Sequence, residues 1–147
     1  MSITAYNGMS TGLQRQVAAK DLAQALRTAR SEALLRNSNV LLQALEADWS
    51  NGWRMVVEHD SPQLLHEWRR NGRTLIVGNQ PVARQVRFNG LGVPLRESGA
   101  FQAGTLHVCQ RPEALSHYQV VLSHTGRVRL SDALIKQPLC AAAGSDQ

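Results

Sequence analysis

Between Leu13 and Arg36 the chain contains neither glycine nor proline, and alanine is abundant. Leu13, Val17, Leu22, Leu26, Ala29 and Ala33 follow helical spacing for most of that stretch, with Arg15, Lys20, Asp21, Arg27 and Arg30 between them. Propensity and apolar periodicity therefore agree on one amphipathic helix of about 24 residues, about 36 Å long at ~1.5 Å per residue. Ser10 or Thr11 can cap its start, and Asn37-Ser38-Asn39 ends it. It is the only strong helix signal. A lone helix with one apolar stripe has to bury that stripe on something else, and the remainder of the chain is β-capable.

Short strand signals alternate with turns after Asn39: Val40 to Ala44, Trp53 to Glu58 after Asn51-Gly52, Leu75-Ile76-Val77 before Gly78-Asn79, and Val82 to Phe88 running into Asn89-Gly90. Thr105 to Cys109, Tyr118 to Leu122 and Val128 to Leu130 complete the set, the last after Thr125-Gly126. One long helix followed by antiparallel strands gives an α+β domain in which the helix lies on a sheet face. At 147 residues, a single domain spanning 13–147 is expected. Residues 1–12 lack periodicity and read as a disordered lead or an expression remnant. No stretch approaches the ~18 consecutive apolar residues of a membrane-spanning helix, and the chain as given reads as soluble.

Catalytic and metal signatures are missing from the sequence. His59, His66, His107, His117 and His124 are scattered, with no HExxH or comparable helical pair. There is no GxSxG elbow, P-loop or GxGxxG fingerprint. Glu46, Asp48, Glu58 and Asp60 gather around a turn, as a carboxylate pair or, more simply, a solvated acidic loop. Trp49, Trp53 and Trp68 can stack bases or close a small core, and the core role is expected. The reading is a non-enzymatic protein that needs no cofactor and no metal.

Charge points to an acidic partner. The net charge is +5 at pH 7, and fourteen of the sixteen basic residues are arginine. A guanidinium fork matches phosphate oxygens better than an ammonium does. The sharpest local feature is Gly126-Arg127-Val128-Arg129-Leu130. On a strand, Arg127 and Arg129 share a face roughly 6.5–7 Å apart while Val128 and Leu130 turn to the core. Two such forks can engage neighbouring phosphates of a DNA strand, and Gly126 allows a tight turn just before them. An ordinary edge strand with solvated arginines has the same pattern. Arg111 and Lys136 flank this region in sequence, and Arg96 joins them on charge alone. Cys109 and Cys140 fit neither a CxxC nor a zinc pattern. They form one disulfide if the protein is exported, or remain buried thiols if it is not.

The order of these parts resembles the FimT/FimU and type II secretion pseudopilin H family of minor pilins. The resemblance is carried by Ala29-Arg30-Ser31-Glu32-Ala33 with Arg36-Asn37 and Val40, and by Asp48-Trp49-Ser50-Asn51-Gly52-Trp53. Val86-Arg87-Phe88-Asn89-Gly90-Leu91-Gly92, Leu106-His107-Val108-Cys109 and Thr125-Gly126-Arg127-Val128-Arg129 continue it, so that it spans about Leu13 to Cys140. The resemblance implies the pilin fold, a long N-terminal helix packed on antiparallel sheet. It also implies a preceding hydrophobic helix half, absent here, that anchors the protein in the inner membrane and packs in the fibre core. Localisation is then inner membrane, periplasm and pilus, which favours the Cys109–Cys140 disulfide. Expected partners are other minor and major pilins. FimT-like members are associated with DNA uptake in natural transformation through a Gly-Arg-x-Arg element, which falls on Gly126, Arg127 and Arg129. A structural role at the fibre tip, priming assembly without DNA, is the alternative.

Overall fold

The computed structural model describes residues 10–110 and 115–140. Helix α1 spans Thr11–Arg36, starting two residues before the expected Leu13. Ser10 is its N-cap, its hydroxyl accepting from the Leu13 amide at 3.1 Å. At the other end Asn37 takes the left-handed conformation, φ 50°, and returns its N–H to the Ala33 carbonyl.

The buried face of α1 is not quite the face that leucine spacing suggests. Leu13 is 43% exposed, whereas Ala18, Ala19, Ala23, Ala25, Ala29 and Ala33 are buried with Leu22 and Leu26. Alanines keep the surface shallow, so the helix axis comes close to the layer beneath it.

That layer is two sheets rather than one. The strands are β1 (Val40–Ala44), β2 (Gly52–Val57), β3 (Gln63–Arg69), β4 (Thr74–Gly78), β5 (Gln85–Phe88), β6 (Gly104–Gln110), β7 (Ser116–Leu122) and β8 (Val128–Ser131). They form two four-stranded antiparallel sheets, ordered β3-β2-β1-β5 and β4-β6-β7-β8. The helix touches strands of both. Its alanine face, Val40, Leu42, Met55 and Phe88 of the first sheet, and Leu106, Val108, Val120 and Leu122 of the second form one core.

Three local expectations change. The Asn51-Gly52 pair closes no hairpin: Asp48 accepts from the Ser50 amide at 2.9 Å, a 3-10 turn spans Trp49–Asn51, and Gly52 opens β2. The Val82 to Phe88 stretch is a strand only from Gln85. Ahead of it, the Val82 carbonyl accepts the Trp49 indole N–H at 3.1 Å. Strand β3 had no periodic signature because it lies at a sheet edge with almost every residue exposed.

The tryptophans divide accordingly. Trp49 and Trp53 are buried in the core. Trp68 sits on β3, partly exposed, beside His66. The four acidic residues do not pair with one another. Glu58 binds Arg87, Glu46 lies near Arg69, and Asp48 is the turn cap. No group of three metal-ligating side chains occurs among the described residues, and no helix there is long and apolar enough to cross a membrane.

Two buried polar devices join elements distant in sequence. Ser50, 1% exposed, accepts the Ile76 amide at 2.8 Å and so ties the turn before β2 to β4. Replacing Ser50 with Ala orphans that buried N–H, and a denaturant titration should show a loss of about 1–3 kcal/mol.

The second device holds the C-terminal segment. Gln119 donates to Ser116 Oγ and to the Ala133 carbonyl, both at 2.8 Å, Ile135 bridges to Ser116, and Cys109 is disulfide-bonded to Cys140. The bond closes a loop of sequence separation 31, so its reduction should lower stability by roughly 3–4 kcal/mol in the chain-entropy account. Superimposable denaturation curves with and without reductant would contradict this.

His107 Nδ1 lies 2.9 Å from Ser116 Oγ in the same cluster. Burial lowers its pKa from the ordinary 6.5, so the folded protein binds this proton less readily than the unfolded chain. The associated stability is complete above about pH 6.5 and declines as pH falls below it. Melting curves across that range should therefore be steeper in pH for the wild type than for His107→Gln.

Candidate nucleic-acid interface

Strands β7 and β8 are joined by the turn Ser123–Gly126, closed by a bond from the Gly126 amide to the Ser123 carbonyl at 3.0 Å. Ser123 Oγ steadies it by accepting from the Arg127 amide at 3.1 Å. Beyond the turn the side chains alternate as the sequence pattern requires: Arg127 and Arg129 are exposed, Val128 is buried and Leu130 half-buried. The two guanidinium groups therefore leave the same side of the chain.

Gly126 is required here for two reasons. Its φ is +90°, and a Cβ would collide with the Gly92 carbonyl oxygen and lie 2.8 Å from Arg30 Nε. The backbone just before Arg127 thus rests directly on the Asn89–Gly92 turn and on α1. Any side chain at 126 would force these apart.

Two helix arginines converge on this junction, and sequence reasoning did not single them out. Arg27 donates from Nη2 to the Val128 carbonyl at 3.1 Å. Arg30 donates from Nε to the Gly92 carbonyl at 2.9 Å. At i and i+3 they share a helix face, but their partners lie 101 and 62 residues away, beyond any local pattern. Among the described residues no carboxylate comes within ion-pair distance of Arg27, Arg30, Arg127 or Arg129. Four positive charges without a counter-charge in that set gather where helix, turn and edge strand meet. Such a surface attracts phosphates, and its exposed members can reach them.

The remaining candidates do not all join it. Lys136 is exposed, but its neighbour Ile135 bridges to Ser116 at the start of β7, whereas Val128 pairs with Leu122 at the end. Six residues of strand put Lys136 roughly 20 Å from the arginine pair, so adjacency in sequence is not adjacency in space here. Arg96 is nearer: it follows Leu95, which bridges to Phe101, and the Phe101 ring packs edge-on against His124 of the β7–β8 turn at 5.3 Å. Arg111 lies outside the described residues.

The geometry makes Gly126→Ala a sharp test of the junction. Strain and the clash with Gly92 should together cost about 1–3 kcal/mol in thermal or chemical denaturation, although no side chain is lost.

Comparison with known proteins agrees with this architecture. Two crystal structures of the Pseudomonas aeruginosa type IV minor pilin FimU share the fold at 21% sequence identity. One aligns with a TM-score of 0.67 over 84% of this chain and 98% of the crystallised FimU chain. The other reaches 0.69 over 85% and 95%. No curated protein matches the sequence. The family model of the type II transport protein GspH matches residues 18–126, from the first turns of α1 to the glycine of the β7–β8 turn. The chain therefore belongs to the GspH family and has the fold seen in the minor pilin FimU.

Proposed function

We propose that this minor-pilin head binds DNA through its phosphate backbone, independently of sequence, and so supports DNA uptake in natural transformation. One observation carries the reading: Arg127 and Arg129 project together beside Arg27 and Arg30, with no neutralising carboxylate among the described residues. Arg96 is a further contact on the same flank, and Arg111 and Lys136 are secondary contacts proposed on charge and sequence neighbourhood. A few Arg–phosphate contacts give weak binding, near the ~10⁻⁴–10⁻⁶ M of non-specific complexes at physiological salt. Several heads or pili acting on one DNA molecule make such weakness workable. The protein acts without catalysis, held at the inner membrane by a preceding helix before entering the pilus.

A second reading rests on a different surface. Leu34, Leu35 and Leu91 are 45%, 81% and 75% exposed near the end of α1, and Leu34 approaches Gly92, the neighbour of Leu91. Apolar side chains grouped in this way suit docking against another pilin. In that reading the head primes assembly at the fibre tip and the arginines only keep it soluble.

DNA binding by the purified head across a salt series separates the two. The wild type should bind with a log–log salt slope that falls by about 0.9 for each phosphate contact removed. Arg127→Gln/Arg129→Gln, shown by circular dichroism to be folded, should lose affinity by about tenfold or more and reduce the slope by about 2. Absence of binding at low salt and high protein concentration would leave the docking role.

A further inference from the structure

On the flank of the arginine junction lies an open cleft of about 710 Å³, bordered by Gln80, Arg84, Gln85, Arg96 and Ser98. Its volume is that of a small-molecule site. Gln102 organises its floor. That side chain is 4% exposed, donates to the Pro81 and Gln85 carbonyls at 3.2 and 3.0 Å, and accepts the Arg87 amide at 2.7 Å. Arg87 itself is occupied, both its Nε and its Nη2 bound to Glu58 Oε1 at 2.8 and 2.6 Å. Arg84 and Arg96 are exposed and, among the described residues, form no ion pair, even with Glu97, which also borders the cleft.

The composition of this cleft differs from that of the β7–β8 surface. Arginine alone suits phosphate, but the exposed Gln80 amide offers a donor and an acceptor side by side, the pattern of a nucleobase edge, and Gln85, whose Oε1 accepts from Gln43 at 3.2 Å, has its Nε2 to donate. An aromatic surface is also close by. Phe101, 56% exposed, precedes Gln102 and packs on His124. The route from Arg127 to Arg96 therefore passes over His124 and Phe101.

We propose that the cleft seats an unpaired nucleotide and that the head consequently prefers single-stranded DNA to duplex. A duplex keeps its bases stacked and their pairing edges engaged, and its width excludes them from a cleft of this size. A single strand can splay a base toward Gln80 and Gln85, lay a neighbouring one against Phe101, and keep its phosphates on Arg84, Arg96 and the Arg127–Arg129 pair. This rests on the DNA-binding reading and adds a form of DNA to it.

Fluorescence anisotropy with oligothymidine and with a duplex of equal phosphate count tests the inference. The wild type should bind the single strand about fivefold more tightly or better, the scale of one stacked base. Arg84→Gln, and separately Phe101→Ala, should remove most of that preference while duplex binding stays within about twofold. These side chains are exposed, and matching melting curves verify the fold. Arg127→Gln/Arg129→Gln should instead weaken both DNAs together. Equal affinity of the wild type for the two DNAs, or a preference that survives the cleft variants, overturns the inference and leaves phosphate binding intact. No binding to either DNA overturns both.

Discussion

The shallow alanine face of α1 is the constraint on which the rest of the molecule depends. A single helix has to close two sheets at once, and leucines along its whole length would hold it too far from both. Ala18, Ala19, Ala23, Ala25, Ala29 and Ala33 let it settle onto them, while Leu22 and Leu26 fill the core at the middle of the helix. Close approach then brings polar helix residues within reach of the strands. Arg27 touches β8, Arg30 reaches the turn after β5, and Asp21 meets Arg70, which also lies over the Trp53 ring. The site is thus a by-product of tight packing, since the same helix that completes the core delivers half of the positive charge at the junction.

The junction also explains how a hairpin turn can present charge at fixed spacing. Loops that carry function usually rely on a rigid scaffold for their geometry. Here the scaffold is backbone resting on backbone: Gly126 lies against the Gly92 carbonyl, and Arg30 donates to that same carbonyl at 2.9 Å. Little conformational freedom is left to lose when a ligand binds, which is the condition under which a few exposed contacts yield measurable affinity.

Much of the fold is legible in the sequence because its signals are local. The absence of glycine and proline from Leu13 to Arg36, the apolar run of β1, the alternation in β2 and β8, and the Thr125-Gly126 turn each follow from neighbouring residues. The exposed edge strand β3 escapes because a strand with little burial has no reason to alternate. Division into two sheets escapes as well, since pairing order depends on contacts far apart in sequence. At the site, Gly126, Arg127 and Arg129 are readable as a strand pattern after a turn. Arg27 and Arg30 look like ordinary solvent-facing helix residues until β8 and the Asn89–Gly92 turn are laid against them. Lys136 is the opposite case, close in sequence and a strand length away in space.

The bond from Arg27 to the Val128 carbonyl has a consequence apart from any ligand. Strand β8 is the last of its sheet, and successive carbonyls of a strand point to opposite sides. The Arg127 carbonyl turns inward to Ser123, so that of Val128 faces the open margin, where a guanidinium already occupies it. A foreign strand seeking to extend the sheet would have to displace that donor and approach between two further positive charges. Natural sheets protect their margins with such obstacles. The arginines therefore act as a stop on lateral growth, keeping neighbouring copies of the domain from fusing sheet to sheet.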